Sequence, residues 1–176
     1  MPNKENFLIS EDECTSAMHA LITGSFDPVT VGHLDIIKRA SHKFQKVTAC
    51  VFVNPNKEYL LSLAEKEALL RIACKNLSNV SVTSDVGMVC DFCKAKGVDV
   101  IVRGVRNEED RVFELVSAKY NWEHSGIKTL LLPADPAFTE ISSSDLKHRL
   151  QTGENVGKLL PDGVEEPFFN ILLQQL

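Results

Sequence analysis

Thr23-Gly-Ser-Phe-Asp-Pro-Val-Thr-Val-Gly-His33, with Leu34-Asp-Ile-Ile-Lys-Arg-Ala40 directly behind it, decides how this chain is read. The apolar run Ala20-Leu-Ile22 leads into a turn built from Gly24, Asp27 and Pro28, and Gly32 and His33 open a helix. A strand that stops at a glycine turn and passes into a helix N-terminus gathers free backbone N–H groups at the positive end of a macrodipole. Such a place binds anions. Ser25 adds a hydroxyl and His33 a second donor, a set that suits a phosphate better than a metal or a carbonyl.

Working outward, Leu34, Ile37, Ala40 and Phe44 share one helical stripe, which predicts a helix from Val31 to about Lys43 packed on a sheet. Val47 to Val53 is nearly all apolar, as in a strand covered on both faces. Leu63 to Asn76 reads as a helix with Leu69, Ile72 and Ala73 inward and Glu65, Lys66 and Glu67 exposed. Val80 to Val82 reads as a short strand, Met88 to Lys96 as a helix closed by Gly97, and Val98 to Val102 as the fourth strand. Asn107 starts an acid-led helix, Lys128 to Leu132 is the fifth strand, and Ser142 with Asp145 marks another helix start. A last amphipathic helix carries Phe168, Phe169, Leu172 and Leu173. Strands alternating with helices predict an α/β fold: one Rossmann-like domain over residues 18–176, with a five-stranded parallel sheet and helices on both faces. Residues 1–17 are expected to form a mobile N-terminal extension.

A chain of 176 residues is of single-domain size, and 44% hydrophobic with 24% charged residues is ordinary for a globular protein. A net charge of −5 argues against a general nucleic-acid binder, so the cationic site is local. The sequence holds neither a membrane-spanning run nor a signal-peptide pattern, which leads us to expect a cytoplasmic protein. The five cysteines are scattered, and Cys90-Asp-Phe-Cys93 has no second pair or histidine cluster to make a metal site, so it is read as one face of a helix.

Three further groups fall at the carboxyl ends of strands, where open α/β sheets bind ligands. Lys57 follows the turn Asn54-Pro-Asn56 and is either a solvated loop lysine or a site residue. Arg103-Gly-Val-Arg106 brings two guanidinium groups. Ile141-Ser-Ser-Ser144 leads into a helix and reads either as a plain cap or as a second anion cradle.

The string Gly-Ser-Phe-Asp-Pro-Val-Thr-x-Gly-His resembles the nucleotidylyltransferase superfamily signature. With Lys57, Arg103 to Asn107, Glu114, Asn121 and Ile141 to Ser144 it is similar to the bacterial phosphopantetheine adenylyltransferase family over about residues 18 to 165. The resemblance implies ATP and 4′-phosphopantetheine as substrates, Mg²⁺ accompanying ATP, dephospho-coenzyme A and pyrophosphate as products, coenzyme A as feedback inhibitor, and a homohexamer. It implies that His33 stabilises the transition state, that Ser25 and Lys57 orient the attacking phosphate, and that Arg103 assists. It further implies that Phe26, Gly104, Val105, Arg106, Glu114 and Ile141, Ser142, Ser143 and Ser144 hold ATP, and that Val89 and Asn121 meet the pantetheine arm. Arg111, Val112 and Glu140 depart from the family pattern. Another nucleotidylyltransferase, acting on nicotinate mononucleotide or an alcohol phosphate, and a non-catalytic nucleotide-binding homologue are the alternatives.

Overall fold

The computed structural model describes residues 6–176. Strand β1 (His19–Gly24) is followed by helix α1 (Val31–Lys43), β2 (Lys46–Phe52), α2 (Leu63–Ala73) and β3 (Val80–Asp85). The chain then returns across the sheet through α3 (Val89–Lys96) to β4 (Val100–Val105), α4 (Glu108–Ser125) and β5 (Lys128–Pro133), and finishes with α5 (Ser143–Gln151) and α6 (Glu165–Gln174). All five strands are parallel, in the order β3-β2-β1-β4-β5.

Strand alternation divides the core in two. Ala20, Ile22, Val47, Ala49, Val51, Val100 and Val102 point to the larger core, which α1, α2, α5 and α6 fill with Ile37, Leu69, Leu146 and Phe168. Leu21, Cys50 and Ile101 point the other way, onto Phe92 and Cys93 of α3. Helices thus cover both faces. Cys90 and Cys93 are both free and buried, Cys93 in this smaller core, and burial pushes the Cys93 thiol up to about 12. These are packing groups.

The structure differs from the sequence reading in several places. Strand β4 runs on through Arg103 and Gly104 to Val105, because those residues pair with Leu131, Leu132 and Pro133 of β5. Strand β3 likewise extends to Asp85, opposite Phe52. In α1, Ile36 is buried beside Ile37 and Ala40, while Leu34 sits at the margin. In α2, Lys66 is 0% exposed and its Nζ lies 3.1 Å from the centroid of the Tyr59 ring. Glu65 folds back in a capping box with Ser62, and Glu67 accepts from Ser84 at 2.6 Å, so these three residues are not a solvated face.

Residues 1–5 of the N-terminal extension lie outside the described residues. From Phe7 on, the extension is docked: Thr129 of β5 donates its N–H to Phe7 O at 3.0 Å and accepts from Ile9 at 3.0 Å. The outer edge of β5 is therefore capped by the chain's own backbone.

Candidate active site

Strands β1 and β4 pair only as far as Ile22 and Val102. Beyond that, Thr23 and Gly24 stay with β2, while Arg103, Gly104 and Val105 stay with β5. The two strands part and open a crevice at their carboxyl ends. Because the chain leaves β1 on one side and returns on the other, this is also where the strand order reverses, the place where such sheets take ligands.

A cavity of about 320 Å³ lies in the crevice. The first motif contributes Ser25, Phe26 and His33, β4 and its exit contribute Arg103, Gly104 and Arg106, and the entry to α5 contributes Ile141, Ser142 and Ser143. A neighbouring cavity of about 480 Å³ shares Ser25, Arg103 and Glu114 with it and extends to Val89 and Asn121. Thirteen residues were expected here besides Lys57 and His33, and all but Val105 and Ser144 line one cavity or the other. Val105 ends β4 opposite Pro133, and Ser144 is exposed on α5.

His33 is held by its own helix cap. Thr30 is the N-cap of α1, and its backbone N–H donates to Nδ1 of His33 at 3.0 Å, while its hydroxyl accepts the His33 N–H at 3.4 Å. An Nδ1 that accepts a backbone proton leaves the ring hydrogen on Nε2. Burial, then the charges of Arg103 and Arg106, lower the His33 pKa to about 4, so the ring is a neutral donor at physiological pH. Phe26 stands edge-on to it, with ring centroids 5.0 Å apart. Phe26 itself has φ +45°, a left-handed conformation that a bulky residue adopts only under tertiary constraint. Its ring lies over Gly24, where a Cβ would approach it to 3.2 Å.

The arginines are already engaged. Arg103 donates Nε and Nη2 to Glu114 at 2.9 and 2.8 Å, and Nη1 to the hydroxyl and carbonyl of Thr23. That bond to Thr23 spans the mouth of the splayed strands. Arg106 pairs with Asp110 through Nε and Nη2 at 2.9 and 3.1 Å, leaving Nη1 outside the pair. Gly104 lies against α1: a Cβ there would come within 2.9 Å of Ile36 Cγ1. This close approach seats α1, and with it His33, against β4.

Lys57, like Val105 and Ser144, is kept apart from both cavities. It is exposed at the tip of the loop after β2 and lines neither cavity. At α5, Ser142 caps the helix by accepting the Asp145 N–H at 3.0 Å, and Ser143 donates to Pro28 O at 2.8 Å. The N-terminus of α5 is thereby tied directly to the first turn.

Sequence reasoning passed over four residues at the site. Thr23 and Thr30 act through Arg103 and His33, and only their positions inside the motif signalled them. Phe113 lines the first cavity from α4. Phe138 also lines it, three residues before Ile141, whereas Glu140 is exposed. An aromatic wall is therefore present although the residue next to Ile141 is a glutamate.

Two helix N-termini, a neutral imidazole donor and two arginines around one crevice are a donor set that suits a polyphosphate. The fold and the comparisons together define a nucleotidyltransferase. Residues 21–149 match the Cytidylyltransferase-like family. A phosphopantetheine adenylyltransferase of Thermobifida fusca (strain YX) is 44% identical over 143 residues, 81% of this chain and 87% of that protein. One of Frankia alni is 41% identical over 149 residues, 82% of this chain and 92% of that protein. A crystal structure from Vibrio parahaemolyticus, assigned as a nicotinate-nucleotide adenylyltransferase, superposes with TM-score 0.65 at 21% identity, covering 88% of this chain and 93% of that one, and shares the fold. The chain belongs to the cytidylyltransferase-like family and, within it, to the phosphopantetheine adenylyltransferases.

Among the described residues, no helix is long and apolar enough to cross a membrane.

Proposed function

We propose that this chain transfers the adenylyl group of ATP to 4′-phosphopantetheine, giving dephospho-coenzyme A and pyrophosphate in coenzyme A biosynthesis. The observation that carries this reading is the crevice between β1 and β4, where the His33 ring and the α5 N-terminus face one cavity and a second cavity continues from it.

The reaction is an in-line displacement. A phosphate oxygen of the acceptor attacks the α-phosphorus of ATP, a new P–O bond forms, and the bond to the β-phosphoryl oxygen breaks as pyrophosphate leaves. A phosphate monoester is largely dianionic near pH 7, its second pKa being about 6, so the nucleophile needs no base. His33 serves instead as an N–H donor to charge developing on the α-phosphoryl oxygens. Its tie to Thr30 aims the ring before substrate arrives, which removes reorganisation from the chemical step.

Ser142 and Ser143 with the α5 N-terminus and Arg106 hold the triphosphate, and Phe138 and Ile141 supply apolar surface for the base, while Phe26, itself buried, backs the His33 ring. Ser25 and Lys57 orient the acceptor phosphate, Lys57 by an inward movement of its loop. Val89 and Asn121 line the second cavity, which takes the pantetheine arm. Arg103 and Glu114 form the partition between the two cavities. Mg²⁺ arrives as the ATP complex. Asp110 and Glu114 are each paired with an arginine, so a Mg²⁺ ion accompanying ATP would rely on phosphate oxygens and water and would supply charge neutralisation there.

Coenzyme A, which shares the pantetheine arm with the acceptor, is the expected feedback inhibitor. The cytoplasm is the expected compartment, and a homohexamer the expected assembly. An exposed apolar stripe on α4 supports an interface between copies of the chain.

The test is pyrophosphate release by purified protein with ATP, Mg²⁺ and 4′-phosphopantetheine, with nicotinate mononucleotide and CTP as alternative substrates. Release that requires both ATP and phosphopantetheine, with dephospho-coenzyme A identified by mass, supports the assignment. Turnover with nicotinate mononucleotide alone overturns it.

A further inference from the structure

Asp27 ties two distant parts of the chain to the first motif through three hydrogen bonds. It is 1% exposed. Its Oδ1 accepts the Leu61 N–H at 2.9 Å, and its Oδ2 accepts the Leu60 N–H at 2.8 Å and the Lys147 ammonium at 3.0 Å. Leu60 and Leu61 form the stem of the loop that carries Lys57, and Lys147 lies on α5, whose N-terminus forms the second cradle. Lys66 is a second ammonium near the same carboxylate. Its Nζ has no hydrogen-bond partner among the described residues and sits over the Tyr59 ring. Burial lowers its pKa, the Asp27 charge opposes that shift, and Lys147 adds to it.

The loop is a unit of its own. Asn54 donates its N–H to the Tyr59 hydroxyl at 2.8 Å, Asn56 donates to Asn54 Oδ1 at 2.9 Å, and Lys57 donates to Asn54 O at 3.0 Å. A segment tied internally in this way moves about its stem rather than by unravelling, and Asp27 holds the stem.

We propose that Asp27 is a positioning residue: it fixes the stem of the Lys57 loop relative to the first motif and α5, and so sets how Lys57 meets the acceptor phosphate. A carboxylate suits this task because charge-assisted bonds to two successive N–H groups and an ammonium specify both distance and direction. The α5 cradle depends on it less, since Ser143 has its own bond to Pro28. This inference rests on the role proposed above for Lys57.

The experiment is a double-mutant cycle with Asp27→Asn and Lys57→Ala, read as kcat and as KM for each substrate, with thermal melting to establish folding. Misplacing a reacting group by about 1 Å costs on the order of 10²-fold. Asp27→Asn should therefore lower kcat/KM for 4′-phosphopantetheine about 10- to 100-fold, while KM for ATP changes less than about threefold. The double variant should be no more than about threefold worse than Lys57→Ala, since without Lys57 nothing remains to be positioned. Multiplicative losses in the double variant overturn the inference while leaving Lys57 in the mechanism. Wild-type kinetics for Lys57→Ala overturn the Lys57 role and this inference together. Should Asp27→Asn fail to fold, Asp27→Glu, which keeps the charge and displaces it by one methylene, enters the same cycle with the same expected pattern.

Discussion

The Thr30 backbone N–H donates to Nδ1 of His33 at 3.0 Å, so the residue that caps α1 also selects the tautomer of the ring at the mouth of the crevice. Helix capping and orientation of the ring are one contact here. A glutamate in this capping-box position would satisfy the same N–H. A histidine does so and still has a donor to spare.

His33→Ala should lower kcat by about 10²- to 10³-fold, the usual loss when one transition-state donor is removed. KM for ATP should change much less. His33→Gln retains an acceptor for the Thr30 N–H and a neutral N–H donor, and should recover part of kcat. Steady-state kinetics on the three proteins check this, and wild-type turnover in His33→Ala would take the residue out of the chemistry.

The lowered pKa of His33 also makes a claim about stability. Unfolded, the imidazole takes up a proton below its ordinary 6.5, whereas folded it resists until about pH 4. Between those values the unfolded state binds more protons, so acidification draws the equilibrium toward it. The contribution is level above pH 6.5 and is lost progressively as pH falls toward 4. His33→Gln, which cannot titrate, should lose less melting temperature than the wild type between pH 7 and pH 4.5. Parallel melting curves for the two proteins would show that the ring titrates normally.

Glu114 is nearly buried and accepts two N–H groups from Arg103. Glu114→Ala should destabilise the fold by about 1 kcal/mol, the low end for a charged group left without its partner, because the orphaned Arg103 is part-exposed and keeps Thr23. Arg103→Ala/Glu114→Ala should be less destabilised than the sum of the single variants, because removing both leaves no orphan. Urea titration of the four proteins measures it.

Much of this architecture was legible because it is local. Thr23 to His33 states a strand end, a turn and a helix start within eleven residues, and Ser142 with Asp145 states another helix start within four. The parts that were not legible depend on partners distant in sequence. Arg103 looks like a residue beyond a strand, and only pairing with Leu131 keeps it within β4. Lys66 stands between two glutamates and reads as solvated, yet Tyr59 and the neighbourhood of Asp27 take it into the interior. Asp27 itself, in Phe-Asp-Pro, reads as a turn former. Its real partners, Leu60, Leu61 and Lys147, are 33 to 120 residues away.

Val112, Phe113, Val116 and Tyr120 recur along α4 and are each more than 40% exposed, with Met88 also exposed at the start of α3. A contiguous apolar stripe of this kind is uncommon on a monomer's surface and marks a place where another surface docks. Val116, Tyr120 and Met88 also line the second cavity, so a copy seated on α4 would help to enclose the pantetheine arm. Val116→Asp places a charge in the middle of the stripe, where burial without a partner is strongly unfavourable. Light scattering should give six times the chain mass for the wild type and a smaller species for Val116→Asp. KM for 4′-phosphopantetheine should rise more than KM for ATP. A wild type that runs as a monomer would remove the homohexamer, and a Val116→Asp variant that stays hexameric would move the interface away from α4.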